Sequence, residues 1–231
     1  PSVPSLPGSR RRQQRVILGR ASGRIPPRTV GDASQQEESV TEQPFKQPEG
    51  PCKTQPQGKE WGGLPSFDPE AGTIVREPDG ASAGFWVGAP TVYHDSTDGR
   101  YYLSYRVRRP RPERGVENRI AVSDDGESFE DIYTLHKDAL GSESIERCCL
   151  YRTDDGAFQY AISYVDPADR KWRTDLLTAD DPAGFDASTA RPVLTAADIN
   201  GEGVKDPNVY RIGGGYVMLL SYAPKPSQST V

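Results

Sequence analysis

From residue 61 onward, short apolar runs alternate with polar turns. Residues 101–105 (Tyr-Tyr-Leu-Ser-Tyr) follow Asp98-Gly99, and residues 158–164 (Phe-Gln-Tyr-Ala-Ile-Ser-Tyr) follow Asp155-Gly156. Residues 216–222 (Tyr-Val-Met-Leu-Leu-Ser-Tyr) follow Gly213-Gly214-Gly215. β-Branched and aromatic residues favour strands, and Asp-Gly and Gly-Gly pairs favour the tight turns that join them. Each run has an upstream partner: residues 90–93, 148–151 and 207–210. The pattern predicts three β-hairpins.

The hairpins are copies of one unit. Tyr93, Tyr151 and Tyr210 stand 58 and 59 residues apart, and each hairpin closes on a Ser-Tyr pair: Ser104-Tyr105, Ser163-Tyr164 and Ser221-Tyr222. A second element recurs between them, from Arg119 to Phe129 and from Arg173 to Phe185. A hairpin plus two outer strands in a repeat of about sixty residues fits one four-stranded propeller blade. A β-sandwich has similar short strands but predicts no such repeat. The expected fold is therefore all-β, a β-propeller of which about two and a half blades are present. The rest of a ring, on the order of 120 further residues at this period, is expected outside the chain.

Residues 1–60 read differently. They are rich in Pro, Gln, Ser, Gly and Arg, and their one apolar cluster is Val16-Ile17-Leu18. Such a segment buries too little apolar surface to offset its ordering entropy, so a disordered basic tail is expected. Residues 61–231 are expected to form the partial propeller.

Charge sharpens the division. The chain is net −5, yet the first sixty residues carry ten Lys/Arg against six Asp/Glu. The acidic remainder is a poor partner for nucleic acid, whose binding relies on cations that neutralise phosphates. No apolar run is long enough to cross a membrane, and no apolar core follows the N-terminal arginines as in a secretory signal. Localisation stays open on these grounds. Cys52, Cys148 and Cys149 form neither a disulfide framework nor a metal-ligand spacing and are expected as buried thiols. His94 and His136 have no neighbours that would build a catalytic triad or a zinc site. No cofactor is expected.

Residues 88–93 (Gly-Ala-Pro-Thr-Val-Tyr), with the hairpin ending at Tyr105, resemble the first-blade hairpin of five-bladed propeller glycosidases. So does the stretch 204–210 (Val-Lys-Asp-Pro-Asn-Val-Tyr). Residues 121–129, with Ser123-Asp124-Asp125-Gly126, resemble a turn common in those blades. The similar groups are the arabinosidase/xylosidase, fructan hydrolase and mannoside phosphorylase enzymes. The resemblance covers about residues 84–223.

In those groups, acidic residues at the inner-strand starts of successive blades meet at one mouth of the channel. Glycosidic cleavage needs one carboxyl group as acid and another as base or nucleophile. The resemblance implies Asp206 and Glu146 as the catalytic pair acting on a carbohydrate. A turn Asp before proline and a surface pair of Glu146 with Arg147 are the structural alternatives. Arg106, Arg147 and Trp86 are the expected substrate-binding residues, by bidentate hydrogen bonding and by stacking. The first unit departs from the pattern. It has Ala89 where the family has an acid, and Asp68 is a candidate substitute. That departure favours the competing reading, a non-catalytic propeller that binds carbohydrate or a protein partner.

Overall fold

The computed structural model describes residues 16–18 and 72–230. Asp68, Cys52 and most of the tail lie outside the described residues. Val16–Leu18, the apolar cluster of the N-terminal segment, forms strand β1 and pairs antiparallel with β2, Thr73–Arg76.

Three groups of antiparallel strands follow in chain order, the first a separate four-stranded sheet and the other two joined in one seven-stranded sheet. The first contains β3 (Trp86–His94), β4 (Tyr101–Arg109), β5 (Arg114–Ser123) and β6 (Glu130–His136), hydrogen-bonded in that order. The second contains β7 (Cys149–Arg152), β8 (Phe158–Val165), β9 (Trp172–Ala179) and β10 (Arg191–Leu194). The third contains β11 (Gly203–Ile212), β12 (Gly215–Lys225) and β13 (Gln228–Thr230). The expected hairpins are β3–β4, β7–β8 and β11–β12. The fold is all-β and blade-like: two complete up-and-down units and the start of a third.

The inner strands of successive units meet through matching positions. Thr91 Oγ1 donates to Cys148 O at 3.0 Å. Cys149, the counterpart of Thr91, takes a contact from Val209 N at 3.4 Å through its sulfur. The stitches between units also repeat. Ile145 N donates to Gly115 O at 3.1 Å, where β5 begins. One repeat later, Gly203 pairs in parallel with Trp172, where β9 begins. This single parallel register makes the second and third groups one seven-stranded sheet, a link that no local pattern in the sequence encodes.

Side-chain alternation places the core between units. Tyr102, Ile120 and Leu135 of the first unit pack with Leu150, Phe158, Tyr160, Ile162 and Leu177 of the second and with Phe185 in the connection after β9. Each fully buried side chain of this size contributes about 1.5–3 kcal/mol. The opposite face of the first sheet buries Val87, Leu103, Tyr105 and Val107 against Val75 of β2. Arg76 reinforces that contact through Tyr105 Oη and the Asp131 carboxylate. Tyr105 is therefore a core residue. Cys148 and Cys149 are buried free thiols, as expected. Burial pushes the Cys148 thiol up to about 12.

Candidate active site

The site is built where the inner strands begin. In the first and third units the strand start is a β-bulge, with the register shifting between Gly88 and Thr91 and between Lys205 and Asn208. Inside each bulge a residue before proline adopts positive φ: Ala89 at 50° and Asp206 at 60°. Residues before proline normally stay extended, and a non-glycine residue in the left-handed region costs about 1–2 kcal/mol. A bulge re-aims side chains, and such strained positions recur at functional sites.

The middle unit reaches the same place with Glu146 and Arg147. The bridge Ile145–Tyr164 has its counterpart in the pair Val204–Tyr222. Glu146 thus matches Lys205, and Arg147 matches Asp206. Ser163, the serine of the second Ser-Tyr pair, holds both acidic segments. Its carbonyl accepts from Glu146 N at 2.8 Å, and its buried hydroxyl accepts from Asp206 N at 3.2 Å.

The structure brings the two expected carboxylates together. Lys205 Nζ lies 3.4 Å from Asp206 Oδ2 and 3.9 Å from Glu146 Oε1. Those two oxygens therefore lie within about 7.5 Å of each other, which does not exceed the widest separation used by paired-carboxylate chemistry. Arg106 Nη1 ion-pairs with Glu146 Oε2. The Arg106 side chain is only 3% exposed, whereas that of Glu146 is 16% exposed. Burial first, and then the charge of Arg108, pushes the Arg106 guanidinium down to about 10, with Asp206 pulling the other way. It remains a cation at neutral pH. Its plane lies over Trp86, 4.5 Å from the ring centroid. Asn118 of β5 donates from Nδ2 to Glu146 O and fixes the backbone of the acid.

Of the expected residues, Glu146, Asp206, Arg106 and Trp86 gather in one region. Arg147 sits beside Glu146 in the chain, but the ion-pair partners of Glu146 are Arg106 and Lys205. Two further arginines of the first unit are engaged elsewhere: Arg109 with Asp79 and Glu113, and Arg119 with Glu117. His94 is exposed and stacks on Tyr101. Lys205, Asn118 and Ser163 were not singled out from the sequence. The repeat offered a signal for Lys205, because it occupies the position of Glu146. Asn118 left no such signal, and Ser163 was marked by the repeated Ser-Tyr pair but not for its contacts between units. A cleft of about 610 Å³ lies at the hairpin-turn end of the strands, lined by Asp98, Arg152 and Asp181 among others, away from the carboxylates.

No protein-family model and no curated protein matches the sequence. Solved structures with a similar course of the chain are glycoside hydrolases. The GH43_1 enzyme from Xanthomonas citri, complexed with xylose, is 17% identical, with a TM-score of 0.47 over 62% of this chain and 41% of that one. The endo-arabinase from Bacteroides thetaiotaomicron is 17% identical, with a TM-score of 0.46 over 68% of this chain and 58% of that one. The GH32 β-fructofuranosidase of Bombyx mori is 17% identical, with a TM-score of 0.44 over 65% of this chain and 31% of that one. The chain spans well under two thirds of the length of each.

Proposed function

We propose that residues 61–231 are part of a carbohydrate-active propeller behind a basic tail, and that Glu146 and Asp206 act as the paired carboxylates of glycosidic bond cleavage. The observation that carries this reading is the single ammonium of Lys205 within 4 Å of both acids, which come from successive units. One acid then donates a proton to the leaving oxygen while the other activates water or attacks the anomeric carbon. Arg106, Arg147 and Trp86 serve as the sugar-binding residues. The chain is tested with 4-nitrophenyl arabinofuranoside, xyloside and mannoside, and with sucrose. Turnover of at least one of them is expected, falling by about 10²–10⁴-fold in Glu146→Gln and in Asp206→Asn. Turnover unchanged in both variants overturns the assignment.

One observation favours a second reading. Ala89 occupies the position of Asp206 in the first unit and offers no carboxylate. A propeller that binds carbohydrate or a protein without cleaving would show saturable binding, no turnover of any substrate, and binding that survives Glu146→Gln.

A further inference from the structure

The mouth has more positive than negative charge, against the sign of the chain. Arg106 and Lys205 pair with Glu146 and Asp206, Lys205 is shared between the two acids, and the charge of Arg108 is felt at Arg106. Arg108 forms no ion pair among the described residues, and its Nε is buried with no hydrogen-bond acceptor. Arg106 Nε is likewise buried and unmatched, although another nitrogen of the same side chain binds Glu146. Arg147, next to Glu146, adds a third such Nε. Leaving a guanidinium donor buried without an acceptor is costly, and charged donors cost more than neutral ones.

Arg106, Arg108 and Asn118 share a face. Arg106 and Arg108 are two apart on β4 and project to the same side of the sheet. Asn118 lies directly across from Arg106 on β5. Its Nδ2 is used by Glu146 O, but its Oδ1 is buried and receives no donor. The same face therefore holds unmatched cationic donors and one unmatched neutral acceptor. A ligand with an oxyanion and a neighbouring hydroxyl would satisfy both.

We propose that this mouth takes a saccharide carrying its own oxyanion, as a sugar acid or a sugar phosphate ester, with Arg106 and Arg108 binding the anion and Asn118 accepting from an adjacent hydroxyl. The inference rests on the carbohydrate reading above and narrows its substrate class.

The test is calorimetric titration of the full chain at low salt with glucuronic acid, galacturonic acid, glucose 6-phosphate, glucose, galactose and inorganic phosphate. At least one charged sugar is expected to bind tenfold or more tightly than its neutral counterpart. That margin should vanish in Arg108→Met and shrink in Arg108→Lys, with neutral sugars unaffected. The lysine variant keeps the charge and guards against a folding failure in the methionine variant. Equal binding of charged and neutral sugars overturns this inference and leaves the carbohydrate reading standing. So does a margin that survives both substitutions. Inorganic phosphate binding as tightly as every charged sugar overturns the saccharide part of the proposal. No binding of any saccharide overturns the inference together with the carbohydrate reading.

Discussion

Ala89 and Asp206 occupy the same position in the first and third units, each before a proline, each inside a bulge, and each at positive φ. The left-handed backbone thus goes with the proline and the bulge of these two units and not with the carboxylate. The bulge re-aims whichever side chain stands there. Asp tolerates this conformation better than Ala does, so the first unit carries strain with no acid to show for it.

Ala89→Gly should therefore stabilise the protein by about 1 kcal/mol, since glycine adopts positive φ without the Cβ penalty. Urea unfolding measures this. A lower midpoint in the glycine variant would show that Ala89 is not strained.

Ser163 holds both candidate acids through its backbone and its hydroxyl. Ser163→Ala removes the acceptor of Asp206 N while leaving the carbonyl that binds Glu146 N. Loss of about 1–3 kcal/mol is expected from the unmatched donor. Turnover should fall as well, because the strand start that carries Asp206 loosens. A variant with wild-type stability would mean that Asp206 N finds another partner.

Gly115 sits against the chain just before Glu146. A Cβ there would stand 2.1 Å from Ile145 O, a backbone atom with no room to retreat. At Gly99 a Cβ would meet nothing within 4 Å, although its φ of 75° disfavours other residues. Gly99→Ala should cost about 1–2 kcal/mol, the backbone penalty alone. Gly115→Ala should cost clearly more and should displace the 144–146 segment. Similar unfolding midpoints for the two variants would refute the close approach.

Asp125 closes the turn after β5, accepting from Ser128 N at 2.7 Å and from Glu127 N and Ser123 Oγ at 2.8 Å. Those hydrogen bonds, led by Ser128 N, hold its carboxyl down at about 2, below the ordinary value of 3.8. A lowered folded value stabilises above the unfolded value, and that contribution is lost as pH falls through the folded one. Asp125→Asn should be less stable than wild type at pH 6, with the difference shrinking between about pH 4 and pH 2. A difference independent of pH would show that the turn does not depend on the ionised carboxylate.

The repeat was legible because alternation and turn chemistry act locally. Asp98-Gly99, Asp155-Gly156 and Gly213-Gly214 mark the hairpins, and the tyrosines at 93, 151 and 210 mark the period. Glu146 and Asp206 were legible only through the family resemblance, which implies acids where the inner strands begin. Their surroundings were not. Arg147 was the obvious partner for Glu146 by adjacency, but consecutive residues in extended chain point to opposite sides. The true partners, Arg106 and Lys205, come from the units on either side. The parallel contact of Gly203 with Trp172 was equally hidden, since it depends on how units pack and not on the pattern within one.

The pH dependence of kcat/KM on an aryl glycoside that the chain cleaves tests the paired acids most directly. A bell-shaped profile with an acidic and a basic limb is expected, and Glu146→Gln and Asp206→Asn should each abolish one limb while lowering the maximum. Variants that retain both limbs at wild-type rates would contradict the assignment.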